Sequence, residues 1–203
     1  MDPFRLDPVT FSGKYVVLEP MQLDDVDPLF DAGRAADLWA HTVSYIRTRE
    51  DMVRYVAEAL RGVRAGTALP FVMRRPGGGR IVGSTRFGAA APAHGRLEIG
   101  WTWVVPDAQR TPVNTEAKYM MLRHAFEEYG VNRVEFKTDL LNAKSRAALL
   151  RIGAVEEGVL RRHMRTEQGR VRDTVYYSIT DDEWPPVKAR LESFLARPWP
   201  HTH

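Results

Sequence analysis

The stretch from Arg96 to Tyr129 constrains the fold of this chain more than any other. Arg96–Val105 (RLEIGWTWVV) alternates Leu97, Ile99, Trp101 and Trp103 with Glu98, Gly100 and Thr102, the period of a half-buried strand. It runs through a short turn into Asn114–Tyr129, where Ala117, Met120, Met121, His124, Ala125 and Tyr129 recur at helical spacing and Gly130 ends the pattern. A strand that feeds a long amphipathic helix lays that helix across a sheet face, so the rest of the chain must supply the sheet.

The flanking sequence does so. Lys14–Glu19 reads as a strand between Gly13 and Pro20, and Asp24 and Asp25 cap a short helix. Asp37–Tyr45 is aromatic and irregular, and is expected to be a loop or a broken helix. Thr48 and Asp51 form a capping box for a helix carrying Met52, Val53, Val56 and Leu60. Leu69–Arg74 and Arg80–Ala89 pair as a hairpin across Pro76-Gly77-Gly78-Gly79. Arg133–Thr138 is a strand, Ala143–Arg151 a helix closed by Gly153, and Val155–Arg162 and Val171–Ile179 are two further strands. Asp181 or Asp182 caps a last helix through Val187, Leu191, Phe194 and Leu195. This order predicts an α/β (α+β) architecture: one mixed sheet of about six to seven strands with helices on both faces. The chain reads as a single domain over 1–203, its core at about 10–180 and a C-terminal helix and tail at 181–203.

Composition narrows the function. The 29 basic and 26 acidic residues leave a formal net charge of +3, too even for a nucleic-acid-binding stripe. Cysteine is absent, which excludes disulfides, thiolate metal sites and a cysteine nucleophile. No His, Asp and Glu set has metal-ligand spacing, so no metal is expected. With neither a signal-like N-terminus nor an apolar run of spanning length, the chain is expected to be cytoplasmic, with no membrane partner.

The turn Val105–Val113 aims the free N–H groups and positive dipole end of the following helix at one point, which suits a phosphate or pyrophosphate. Arg110 adds a cation and Thr111 a hydroxyl donor. The plainer account is an ordinary strand–helix connection with its N-cap at Asn114, and spacing alone leaves both open.

The two segments EIGWTWVVPDAQRTPVNTEAKYMMLRHAFE (Glu98–Glu127) and RVEFKTDLLNAKSRAALLRIGAVEEGVLR (Arg133–Arg161) resemble the GNAT acetyltransferases. The resemblance is to the branch that includes bacterial ribosomal-protein N-terminal acetyltransferases. It implies the GNAT fold, acetyl-CoA as co-substrate, and a turn whose amides hold the pyrophosphate. By that resemblance Trp103, Val104, Gln109, Arg110, Thr111, Val113, Asn114 and Thr115 contact CoA. Asn142 contacts the pantetheine arm, and Ser145 lies near the thioester sulfur as proton donor. The sequence departs from the family turn at Pro112, which stands where the family has a glycine and lacks an N–H, and at Asn114, which replaces a small residue. Weaker CoA binding, or a shifted phosphate, is expected from these changes.

Acyl transfer from a thioester to an amine needs a base, oxyanion stabilisation and a proton for the leaving thiolate. Glu98, in a partly apolar cleft beside Trp101 and Trp103, is the candidate base; the alternative is a surface glutamate paired with Arg96 or Arg86. For Asn142 and Ser145 the plain account is helix capping, which is compatible with ligand contact. Trp39, His41 and Tyr45 are read as an aromatic wall for the acceptor, or as anchors of an exposed loop. His124 is expected to be packed, and His163 has no partner visible in the sequence. The expected function is acetyl transfer to a primary amine of a protein N-terminus, a peptide or a small molecule. The alternative is a non-catalytic acyl-CoA sensor or scaffold. A homodimer through the last strands or the C-terminal helix is compatible with either.

Overall fold

Adjacent hairpins build most of the sheet, and one crossover joins its halves. A computed structural model describes residues 4–199. In chain order its strands are β1 (Phe11–Ser12), β2 (Val17–Pro20), β3 (Leu69–Arg74), β4 (Ile81–Ala91), β5 (Arg96–Val104), β6 (Arg133–Asp139), β7 (Val155–Arg165) and β8 (Val171–Thr180). The helices are α1 (Val26–Ala32), α2 (Arg49–Arg64), α3 (Pro112–Arg123), α4 (Ala143–Ile152) and α5 (Trp184–Leu195). The strands form one sheet in the order β1-β2-β3-β4-β5-β6-β8-β7. The eighth strand, beyond the expected number, is the two-residue β1, too short to carry a periodic signal.

Every pairing is antiparallel except β5 with β6, which the α3 crossover makes parallel. That one parallel pairing is short: Arg96, Leu97 and Glu98 face Arg133, Val134 and Glu135, and no further partners follow. Beyond Glu98 the two strands separate and leave a slot through the middle of the sheet. Helices α1 and α2 lie on one face of the sheet, and α3, α4 and α5 on the other.

Local chemistry places the helices. Asp51 N–H donates to the Thr48 hydroxyl and Thr48 N–H to the Asp51 carboxylate, the expected capping box of α2. α3 begins two residues earlier than the apolar spacing indicates. Its N-cap is Thr111 rather than Asn114, with Pro112 at the first helical position, where a preset φ is favourable. The helix widens into a π-turn over His124–Glu128 before Gly130, at φ 61°, ends it. α5 begins at Trp184 behind Glu183, whose carboxylate accepts from Thr180 N–H, so neither Asp181 nor Asp182 is its cap.

The first hairpin is tied to α3 by one buried carboxylate. Glu116 accepts the N–H groups of Lys14, Tyr15 and Val16 at 2.8, 2.6 and 2.9 Å. Charge-assisted bonds of this kind are each worth about 1.5–3 kcal/mol. Glu116→Ala is therefore expected to destabilise the fold by about 3 kcal/mol, seen as a lower urea midpoint at unchanged m-value. An unchanged midpoint would show that the hairpin does not depend on this carboxylate.

Candidate active site

A bulge in β5 decides which side chains reach the slot. Ser84 pairs with Trp103 and Arg86 with Gly100, so two steps along β4 face three along β5. Trp101 absorbs the extra residue at φ 50°. The expected alternation therefore breaks: Leu97 and Ile99 point to the α3 face, while Trp101 and Trp103 fall on the opposite face together with Glu98. The Trp101 ring lies over Gly88, where a Cβ would stand 2.4 Å from it, so only glycine admits this packing. Arg86 stacks between the rings of Trp101 and Tyr55, at 4.6 and 5.6 Å to the centroids.

Glu98 sits where the slot opens and is buried. Its carboxylate meets Lys137 Nζ at 2.8 Å, and pairs with neither Arg96, which reaches Glu135, nor Arg86, which has only its aromatic neighbours. Burial opposes the Lys137 charge, but Glu98 overrides it and holds Lys137 above its ordinary value. On the far side of the slot, Lys118 of α3 donates from Nζ to Thr102 Oγ1 at 2.9 Å and lies over the Phe136 ring. Thr102 also hydrogen-bonds Thr85 at 2.8 Å. Burial pushes Lys118 down to about 7, against the pull of the Glu98 charge. The slot is thus lined by an acid reached from one face and an amine from the other.

The turn Val105–Thr111 is held by its own side chains. Gln109 Nε2 donates to Val104 O at 2.9 Å, Thr111 Oγ1 donates to Ala108 O at 2.7 Å, and Val113 N–H reaches Thr111 Oγ1 at 3.4 Å. Arg110 is left-handed at φ 57° with its side chain in solvent. The N–H groups of Arg110 and Thr111 meet no acceptor among the described residues. Asn114 occupies the third helical position, and its Oδ1 is shut in without a donor. Unpaired amides beside a lone buried carbonyl fit a ligand that brings both phosphate acceptors and N–H or O–H donors. Trp103 and Val113 are core residues, and the Thr115 hydroxyl is occupied by Arg151 of α4 at 2.7 Å.

β5 and β6 run parallel, so the α3 and α4 starts lie at the same end of the sheet, where α/β folds bind ligands. Asn142 caps α4, its Oδ1 accepting from Ser145 N–H at 3.0 Å. The Ser145 hydroxyl engages no protein group among the described residues and is partly exposed. The aromatic loop divides. Trp39 is core: its indole N–H donates to Gly33 O at 2.8 Å and its ring packs on Trp103 and Tyr55, so it forms no surface wall. His41 is exposed, and Tyr45 is half-buried under Arg47. Glu167, in the β7–β8 turn, fastens this loop by donating to Val43 O and accepting from Tyr45 N–H. His124 packs edge-on against Phe11 and Tyr129, as expected. Among the described residues no group of three or more His, Cys, Asp and Glu stands as a metal site.

Residues 16–155 match the family described as the Acetyltransferase (GNAT) domain. The chain belongs to the GNAT acetyltransferase family. Other GNAT proteins share its whole shape. A GCN5-related N-acetyltransferase from Brucella melitensis superposes with a TM-score of 0.87 at 30% identity, covering 96% of this chain and 88% of that one. Mycobacterium smegmatis RimJ, solved in complex with CoA-disulfide, does so at 0.76 and 25% identity, covering 98% of each chain. In sequence, the chain is 37% identical over 93 residues to Putative ribosomal N-acetyltransferase YdaF of Bacillus subtilis (strain 168). That match covers 46% of this chain and 50% of YdaF, so it spans about half the length of this curated relative.

Sequence reasoning missed Lys118, Lys137 and Glu116. A signal for Lys118 was present, because it interrupts the stripe 114, 118, 121, 125 on which a buried helix face keeps apolar residues. Its titration has a definite sign. The unfolded amine holds its proton up to 10.5 and the buried one only to about 7, so the desolvation penalty is full below about 7 and gone above 10.5. Lys118→Met is expected to be more stable than the natural protein at pH 6 by a few kcal/mol, each pKa unit being worth about 1.4 kcal/mol. The gain should shrink as pH rises from 7 towards 10. Denaturation midpoints of both proteins across that range check it, and a gain that does not depend on pH contradicts it.

Proposed function

We propose that the chain transfers an acetyl group from acetyl-CoA to a primary amine by direct attack within a ternary complex. The observation that carries this reading is the slot between β5 and β6, with Glu98 buried at its opening and the starts of α3 and α4 at one end. The co-substrate would lie with its pyrophosphate at the free amides of Arg110 and Thr111, beside Asn114. Its arm would run past Asn142 into the slot from the α3 side. The amine would enter from the α2 face past Trp101, and Tyr45 would line the approach. Glu98 would take the ammonium proton, directly or through a water; the amine nitrogen then forms its bond to the thioester carbonyl carbon, and the C–S bond breaks. The attached nitrogen gives up its second proton as the amide forms, and Ser145 would relay a proton to the departing sulfur and be restored by that one. Lys118 is a second donor at the slot, with a proton exchangeable near neutral pH. The name of YdaF, as a ribosomal N-acetyltransferase, supports a protein N-terminus among the candidate acceptors, beside peptides and small amines. This unit, about 10–180 with its C-terminal helix, would work in the cytoplasm.

Release of thiol from acetyl-CoA against a panel of amines tests the reading. Glu98→Gln is expected to lower kcat by about 10²–10⁴-fold while CoA binding persists. Undiminished kcat in that variant removes Glu98 as base. Binding without thiol release for every amine makes the chain an acyl-CoA sensor instead.

Pro112 is the second point of test. It removes one of the N–H groups that a helix start offers to a phosphate. Pro112→Gly is expected to tighten CoA binding severalfold, about 1 kcal/mol for one added hydrogen bond, by calorimetry. Binding no tighter than in the natural protein would show that the remaining amides already satisfy the pyrophosphate.

A further inference from the structure

The α2 face of the slot holds more positive charge than its carboxylates neutralise. The sheet register places Arg86, Glu98, Glu135, Lys137, Tyr176, Thr174 and Arg172 on this one face. Each acid there already has a partner. Glu98 pairs with Lys137, Glu135 with Arg96 and Arg133, and Asp139 with Arg170. From the loops and helix packed above, Glu167 is taken by the Tyr45 N–H and Asp51 by Arg54 and its cap. Two guanidinium groups remain. Arg86 is 5% exposed and Arg172 is 6% exposed, and neither donates a hydrogen bond or forms an ion pair among the described residues. The Nε of each is fully shut in without an acceptor.

A buried guanidinium with five donors and no anion is an unfavourable arrangement for a protein to keep. Arg86 is partly compensated by the rings of Tyr55 and Trp101, and Arg172 only by the more distant charges of Asp139 and Glu98. The slot lies between β5 and β6, and the two arginines stand on the strands that border this pair: Arg86 on β4, beside β5, and Arg172 on β8, beside β6 and beyond its end. Carboxylate and phosphate are the groups whose geometry a guanidinium matches with paired N–H bonds.

We infer that the acceptor is an amine that also carries an anionic group, a carboxylate or phosphate, held by Arg86 and Arg172 while its amino group lies at Glu98. The inference rests on the acyl-transfer reading and deepens it by naming the substrate class. Desolvation at the two arginines makes the discrimination large, because an acceptor lacking the anion leaves both donors unpaired.

Matched pairs of acceptors test this with the natural chain. Phenylalanine against phenylalaninamide, and phosphoethanolamine against ethanolamine, differ in the anion and in the amine basicity that the anion alters, so kcat/KM is compared at equal concentrations of free amine. The anionic member of at least one pair is expected to show kcat/KM at least about tenfold higher, and which pair responds tells carboxylate from phosphate. Equal rates within both pairs overturn the inference. Arg172→Gln and Arg86→Gln should raise KM for the anionic acceptor and bring the pair towards parity; a purely structural role would depress both members alike. Binding decides the matter apart from catalysis. Calorimetry of N-acetylphenylalanine and of N-acetylphenylalaninamide with the CoA-loaded natural chain should show the acid binding tighter. Tighter acid binding without turnover would sink the acyl-transfer reading and keep the anion site, while turnover without anion preference would do the reverse.

Discussion

The site depends on how little β5 and β6 touch. Three residue pairs join the halves of the sheet, and beyond Glu98 the strands diverge. A sheet that continued pairing would satisfy the backbone of Ile99–Val104 and close the slot. The bulge at Trp101 works to the same end, because it turns β5 away from its ladder and reverses the alternation of its side chains. The α3 crossover makes the central pair parallel, so two helix starts meet at one end of the slot. Parallel pairing, splay and bulge together place a turn with unpaired amides, a buried acid and a buried amine around one opening.

Charge is distributed unevenly across that opening. On the α3 side a single lysine is buried against a threonine and an aromatic ring, and burial rather than a counter-ion sets its titration. On the α2 side, among the described residues, Glu98, Glu135 and Asp139 are paired, yet Arg86 and Arg172 are not. Both sides hold cations that the fold alone gives no reason to bury. Protein interiors tolerate such groups where a ligand completes them, and the proposed acyl transfer would put a phosphate-bearing co-substrate on one side and an acceptor on the other.

Much of this architecture was legible in the residues. Seven strands, the hairpin turn at Pro76–Gly79, the Thr48–Asp51 capping box, the cap at Asn142 and the glycine closing α4 all follow from local rules, and all are present. The boundary errors are local too: Thr111 and Pro112 begin α3 by cap chemistry that apolar spacing does not register. The residues also point to Asn142 and Ser145 with their capping bond, and to Glu98 as a strand acid in a partly apolar cleft, but not to its partner Lys137.

What the residues settled by themselves was the sequence of elements and the family, because propensity, capping and short motifs act over a few neighbours. Tertiary structure decided everything that depends on register. The bulge at Trp101 sent two tryptophans to the face opposite Leu97 and Ile99, and Trp39 went into the core against Trp103. Lys137 rather than Arg96 or Arg86 came to Glu98, Lys118 came to Thr102, and Arg86 and Arg172 were left without anions. Each of these outcomes pairs groups far apart in the chain. A shift of one residue in a strand moves every side chain to the other face, and no local period records that shift.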